Sequence, residues 1–403
     1  MINKKKLFSL VALILVSVFI GYENPEIIET PKNKIKNLFG NSEKKQVRPN
    51  NEDENKNKIE NFKDEFFANS FTLEIEKIKP IDFKTAGLFF EGNNMKIFSQ
   101  KGEIIYNKKN KKINLPQDFT IEKEGGVRNI IYFQKNFYAL ISRKNKNCYY
   151  SSLINIKDQS KVFDTKCLPI EEDINFAGIG GAFTFKDNNL LITVGTPTHQ
   201  SDIIDMFAQN NNYLYGKILL LEKETDSDKK YTIKIFSSGH RNPQGLTNME
   251  DILFSTEHGP QGGDELNIVE MNKNFGWPIV SLGTRYGGKS FDYKKNDKFT
   301  NPIFSFLPSI APSMMSNCPH NLKDYYGDYI CLIGLSLREM SLIIYLVDRN
   351  TKNLISYEKI FLEKRLRHLA LDKEAKLFTK NDSSFYFSSD KDGIYKGLFK
   401  DFR

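Results

Sequence analysis

Six times along the chain, turn-forming polar residues run directly into a short apolar strand pattern, and no other feature restricts the fold as much. The units are Asn93–Phe98, Lys135–Leu140, Asn188–Thr193, Glu250–Ser255, Gly327–Leu332 and Ser383–Ser388. Within them β-branched and aromatic residues alternate with polar ones, the period of a strand, and long amphipathic helical stretches are missing from the body. The units recur at roughly 40 to 75 residues, near or above the length of a four-stranded blade once loop insertions are allowed. With 403 residues, 39% hydrophobic and 13% aromatic, one all-β domain of this kind can bury a sizeable core. The pattern predicts an all-β fold, a six-bladed β-propeller. A jelly roll or two-sheet sandwich is the alternative, and it gives no reason for six similar units.

The N-terminus reads differently. Met1 to Lys6 is basic, and Leu7 to Ile20 is apolar except for Ser9 and Ser17, the layout of an export signal. As a helix this run spans roughly 21–24 Å, short of the ~30 Å hydrocarbon core. The region Ser17–Gly21 lacks small residues at both usual cleavage positions, so residues 1–21 are expected to be either a signal peptide or an N-terminal membrane anchor. Residues 22–69, rich in Lys, Asn and Glu, are expected to form a disordered linker, and residues 70–403 the propeller. The body is expected to be exported, periplasmic or tethered through residues 7–20 to the outer face of the inner membrane. The net charge of +8 comes from interspersed Lys and Glu, with no basic stripe interleaved with aromatics, so a nucleic-acid partner is not expected. The four cysteines fall into two local pairs, Cys148 with Cys167 and Cys318 with Cys331. Export favours two short-loop disulfides over free buried thiols, and no Cys-x-x-Cys or His cluster suggests zinc.

Three blocks carry chemistry: Ser238-Gly239-His240-Arg241-Asn242-Pro243-Gln244-Gly245-Leu246, then Thr256-Glu257-His258-Gly259-Pro260-Gln261-Gly262-Gly263-Asp264-Glu265-Leu266-Asn267, then Phe275-Gly276-Trp277-Pro278. Gly259, Gly262 and Gly263 leave backbone uncovered beside Asp264 and Glu265, so carbonyl oxygens and carboxylates can converge on a hard cation such as calcium. Arg241 and Asn242 add a planar fork and an amide suited to a planar ligand bearing carboxylates. A Gly-rich surface turn with solvated charges is the plainer alternative.

In order and spacing these blocks resemble the signature of the soluble sugar dehydrogenases that use pyrroloquinoline quinone (PQQ) and calcium, the glucose/sorbosone or aldose sugar dehydrogenase family. The resemblance implies the six-bladed propeller, PQQ and Ca2+ as cofactors, and cofactor contacts from Arg241 and Asn242. It gives the carbonyls of Gly259 and Pro260 to calcium and lines the same pocket with His258 and Asp264. Ser309 and Ala311, within Pro308-Ser309-Ile310-Ala311-Pro312-Ser313, match the family's cofactor wall. Arg338 stands where a basic residue reaches the cofactor carboxylates, and Arg365 and Arg367 resemble the family's paired arginines.

The sugar-oxidising side departs from that pattern. The family abstracts a proton with a histidine two residues before a Gly-Gly or Ser-Gly pair; here the pair is Gly180-Gly181 and the histidine position is Gly178. The preceding residue, often polar in the family, is Ala177, and the arginine that often follows the pair is Ala182. The supporting aspartate is replaced by Thr196, and the glutamine of an earlier Gly-Gln-Gly-Gly block by Glu124. A glycine cannot accept a proton, so the catalytic residue is left open, with His199 and Glu124 as substitutes. The resemblance thus implies an exported PQQ- and calcium-dependent oxidation of an aldose or related alcohol through a relocated base, passing electrons to an acceptor. The alternative is a catalytically degenerate propeller that binds PQQ and calcium or recognises a protein.

Overall fold

The computed structural model describes residues 63–68, 70–106, 109–224, 231–291 and 297–403. The expected leader at 1–21 and the expected linker up to residue 62 lie outside the described residues. The last part of the expected linker is a strand: β1 (Lys63–Phe67) pairs antiparallel with β2 (Thr72–Pro80). Its polar composition reads as linker because pairing, not burial, makes the strand. Among the described residues no helix is long and apolar enough to cross a membrane.

From there the chain is a succession of antiparallel meanders. The first comprises β3 (Thr85–Glu91), β4 (Asn94–Ser99), β5 (Glu103–Tyr106) and β6 (Lys109–Lys112), and the second β7 (Val127–Phe133), β8 (Asn136–Lys144), β9 (Cys148–Asn155) and β10 (Lys161–Asp164), with β11 (Leu168–Pro169) also on β9. The third holds β12 (Gly180–Lys186), β13 (Asn189–Val194), β14 (Lys217–Lys223) and β15 (Tyr231–Ser238), and the fourth β16 (Pro243–Met249), β17 (Ile252–Glu257), β18 (Asp264–Val269) and β19 (Phe304–Phe306). The fifth holds β20 (Pro312–Asn317), β21 (Tyr329–Ser336), β22 (Ser341–Asp348) and β23 (Leu354–Phe361). The last strands, β24 (Leu366–Leu371), β25 (Phe385–Ser389) and β26 (Gly393–Lys400), are completed from the other end of the chain, since β26 pairs with β2. β24 also pairs in parallel with β3 at Ala370↔Leu88 and Leu371↔Phe89.

The first strand of each meander touches the next in cyclic order, β3 to β7, β12, β16, β20, β24 and back to β3, so the inner strands close a ring and the fold is β-propeller-like. All six sequence units fall on the strand after the inner one: β4, β8, β13, β17, β21 and β25. Three of the hairpins into them turn at Gln134-Lys135, Asp187-Asn188 and Glu250-Asp251, with both central residues at positive φ. That two-residue turn matches the right-handed twist of the flanking strands. The expected apolar–polar alternation does not hold in five of these second strands, whose central residues are buried on both faces. Neighbouring sheets cover both sides of them, and alternation survives in the outer strand β15. Aromatic rings fill the gaps between sheets. Phe133 of β7 stacks on Phe185 of β12 with centroids 5.3 Å apart.

Both expected disulfides are present, Cys148–Cys167 and Cys318–Cys331, and among the described residues no cysteine is free. The first ties the start of β9 to the segment that leads into β11; the second joins β21 to the residue that follows β20. They close loops of 19 and 13 residues, for which the chain-entropy model gives about 3 kcal/mol each. Replacing Cys318 and Cys331 together by serine is therefore expected to lower the urea unfolding free energy by about that amount, and an unchanged midpoint would show that the crosslink constrains nothing.

Candidate active site: a cationic cavity at one mouth of the ring

A cavity of about 300 Å3 opens where the inner strands begin. Its wall comes from the loops entering them: Lys84 before β3, Glu124 before β7, Ala177 and Gly178 before β12, Arg241 and Asn242 before β16, Ala311 before β20 and Arg365 before β24. The loops leaving the second strands complete it with Gln100, Thr198, His199, His258 and Leu337. In an antiparallel meander these two sets of loops lie at the same end of each sheet.

Arg241 is fixed from three directions. Its backbone N–H donates to Glu257 Oε2 at 2.8 Å, its carbonyl accepts from Thr196 N at 2.7 Å and from Thr196 Oγ1 at 3.2 Å, and its Nη1 donates to the Gly259 carbonyl at 2.7 Å. The guanidinium lies 5.3 Å from the Trp277 ring centre. Glu257 accepts in addition from His240 Nδ1 at 3.0 Å and Asn267 Nδ2 at 3.0 Å. His240, fully buried and stacked on Phe275, is thus a brace behind Arg241 and does not face the cavity. Asp205, on the short helix α1 (Asp202–Met206), accepts from Trp277 Nε1 at 3.2 Å. Burial pushes its carboxyl up to about 6, although the Arg241 charge pulls the other way.

Of the residues expected in the site, Glu124, Gly178, His199, Arg241, Asn242, His258, Ala311, Arg365 and Arg367 share this cavity. Asp264 lies behind its wall, fully engaged: it accepts from Gly259 N (2.9 Å), Ser309 Oγ (3.1 Å), Ile310 N (2.8 Å) and Ala311 N (2.6 Å). Asp264 and Ser309 therefore shape the wall instead of lining it. Thr196 is buried behind Arg241. Gly259 and Pro260 line a small neighbouring cavity together with Glu257, Glu265, Arg241 and His258. Arg338 is exposed, and Leu337 takes the wall position beside it.

The candidate bases differ in availability. The Lys84 ammonium, 3.1 Å from Glu124, holds that exposed carboxyl below the usual range and makes it a weaker base. His199 is exposed, and its Nε2 accepts from Asn175 Nδ2, whose amide oxygen is already taken by Ala177 N. His258 donates from Nε2 to the Pro312 carbonyl at 2.6 Å. Burial, aided by the charges of Arg241 and Arg367, lowers its pKa, so the ring is neutral near pH 7 and Nδ1 carries the lone pair. At Gly178 the backbone itself has closed in: a Cβ would meet the Thr196 carbonyl at 2.7 Å, and one on Gly195 would meet the Gly178 carbonyl at 2.2 Å.

Five cations line the cavity, Lys84, Arg128, Arg241, Arg365 and Arg367, against one carboxylate, Glu124. Sequence reading missed Lys84, Arg128, Gln244 and Tyr286. Gln244 sits within the first sequence block, and Arg128 left a weaker signal, a charge at the second position of the largely apolar strand Val127–Phe133. Burial beside Arg367 lowers its pKa to about 10, so it stays protonated.

The donor sets suit both groups implied by the sequence. An anionic planar quinone fits a cavity lined by arginines that donate in a plane. A hard cation fits the smaller cavity, which Gly259 and Pro260 line together with the buried Glu257 and the half-buried Glu265. Crowding by burial and by Glu257 pushes the Glu265 carboxyl up to about 8, the strain that a bound cation would relieve.

The family model for glucose/sorbosone dehydrogenase matches residues 93–386. The chain is 34% identical to the aldose sugar dehydrogenase YliI of Escherichia coli K12 over 122 residues, 27% of this chain and 33% of that one; it spans about a third of the length of the curated relatives that it matches. The structure resembles that of the soluble aldose sugar dehydrogenase of E. coli in its apo-form with a TM-score of 0.66 at 20% identity, covering 81% of this chain and 99% of that one. It also resembles the PQQ-bound form of an aldose sugar dehydrogenase from Streptomyces coelicolor, with a TM-score of 0.54 at 18% identity over 81% of this chain and 98% of that one. Since the family match runs from β4 to β25 and takes in nearly every loop that walls the cavity, the chain belongs to the glucose/sorbosone dehydrogenase family.

Proposed function

We propose that the chain is a six-bladed propeller that binds PQQ and calcium and oxidises a sugar or related alcohol in the cavity at its mouth. The observation that carries this reading is the charge of the wall, five cations to one carboxylate. Arg241, Asn242, Arg365 and Arg367 would hold the cofactor carboxylates, and the carbonyls of Gly259 and Pro260, with Glu257 and Glu265 close by, would hold the metal. PQQ, when bound, supplies the hydride acceptor. The proton on the substrate hydroxyl needs a base, and His258 offers the unprotonated nitrogen of a neutral imidazole on the wall. Two disulfides support export to an oxidising compartment, where the acceptor of the electrons would also reside.

Calorimetric titration of PQQ is expected to show binding that calcium strengthens and a chelator weakens; identical affinity in both would overturn the metal-assisted site. Arg241→Ala should weaken PQQ binding by about tenfold or more, the range of a buried charge-assisted contact.

PQQ affinity should also fall a few-fold as pH rises through about 6. Asp205 is neutral below that point and ionises above it, offsetting the Arg241 charge. Asp205→Asn should flatten this step, and a wild-type titration flat from pH 5 to 7 would remove Asp205 from the site's electrostatics.

A second reading, a propeller that binds PQQ without turnover, is favoured by the closure of backbone over Gly178. His258→Asn separates the two. A drop in sugar-dependent dye reduction of about 10²-fold or more, with PQQ still bound, supports the enzyme; no sugar-dependent reduction in either protein supports the binder. Gly178→His should restore nothing and should lower thermal stability, because its Cβ has no room beside the Thr196 carbonyl. A gain of activity in that variant would mean that the backbone opens there readily.

A further inference from the structure

Arg128 is buried but for 8% of its surface, and among the described residues no carboxylate touches it. Its Nη1 donates to the Glu124 carbonyl at 2.8 Å, while the Glu124 carboxylate goes to Lys84. Its Nε is buried without any partner. Arg367, the cation beside it, is already neutralised by a bidentate pair with Asp390. A buried guanidinium held by one neutral acceptor is costly unless something else satisfies it, and both arginines line the cavity.

Position tells which ligand that is. Arg128 lies on β7 beside Gly181, a Cβ on which would stand 4.0 Å from its own, and it lines a narrow channel with Gly180 and Ala182. Glu124 and Gly178, on the same stretch of wall, occupy positions that the resemblance gives to sugar oxidation, not to the cofactor. A neutral aldose would leave the Arg128 charge unanswered.

We propose that Arg128 receives the carboxylate of an acidic sugar, so that the substrate class is aldoses bearing a carboxylate, such as hexuronic acids, in preference to neutral aldoses. This rests on the reading of the cavity as a sugar site. The test is calorimetry on the full chain, with and without PQQ and calcium, comparing galacturonate with galactose and glucuronate with glucose. The uronates are expected to bind at least about tenfold more tightly than their neutral counterparts, the range of one charge-assisted hydrogen bond. Arg128→Gln should erase that ratio, and Arg128→Lys should keep part of it. Equal wild-type affinities, a measurement that needs no variant, overturn the proposal, as does a ratio that survives Arg128→Gln in a protein with native circular dichroism. A weaker PQQ titration in Arg128→Gln with an unchanged ratio would give Arg128 to a cofactor carboxylate and likewise overturn it. If the chain takes up no PQQ yet prefers uronates through Arg128, the cofactor reading falls and this inference stands.

Discussion

The carboxylate of Asp264 holds together pieces of backbone that the sequence encodes more than forty residues apart. Three N–H groups and a hydroxyl converge on it, from Gly259 on one side and from Ser309, Ile310 and Ala311 on the other. Without the carboxylate, buried donors would be left orphaned at roughly 1–3 kcal/mol apiece. The wall of the cavity depends on this knot. It keeps the Gly259 carbonyl in reach of Arg241 and holds Ala311 at a φ of 55°, a left-handed conformation that residues with a side chain seldom adopt. Next to it Glu257 does the same for the Arg241 backbone, so one of the cations on the wall is anchored through two carboxylates that do not touch its guanidinium.

Local chemistry was legible in the sequence. The six units marked the second strand of every meander, because a turn pair followed by a strand is a signal contained within a few residues. The Arg241, Gly259 and Asp264 blocks announced a site for the same reason. Division of labour within the site was not legible: Asp264 and Ser309 turned out to be scaffolding, Arg338 exposed and Leu337 the wall, since a spacing of one residue decides which way a side chain faces. Lys84 and Arg128 went unread because they meet the other lining residues only when the inner strands close into a ring. The polar segment Lys63–Phe67 was also opaque, its strand being made by a partner and not by its own pattern.

At Gly178 the constraint is steric. Gly178, Gly195 and the Arg241 carbonyl pack so closely that side chains are excluded, and Thr196 spends its hydrogen bonds on that same carbonyl. The room between these strands is taken up in seating the arginine loop.

The pairing of β2 with β26 has a kinetic meaning. Thr72 meets Lys400 across more than three hundred residues, so every residue up to Lys400 must leave the ribosome before this latch can fasten. Until then the last inner strands face an unfinished neighbour, with ladder edges open to other chains. Contacts so distant in sequence make closure late and slow, and a nascent chain of this design is at its most aggregation-prone just before β26 emerges.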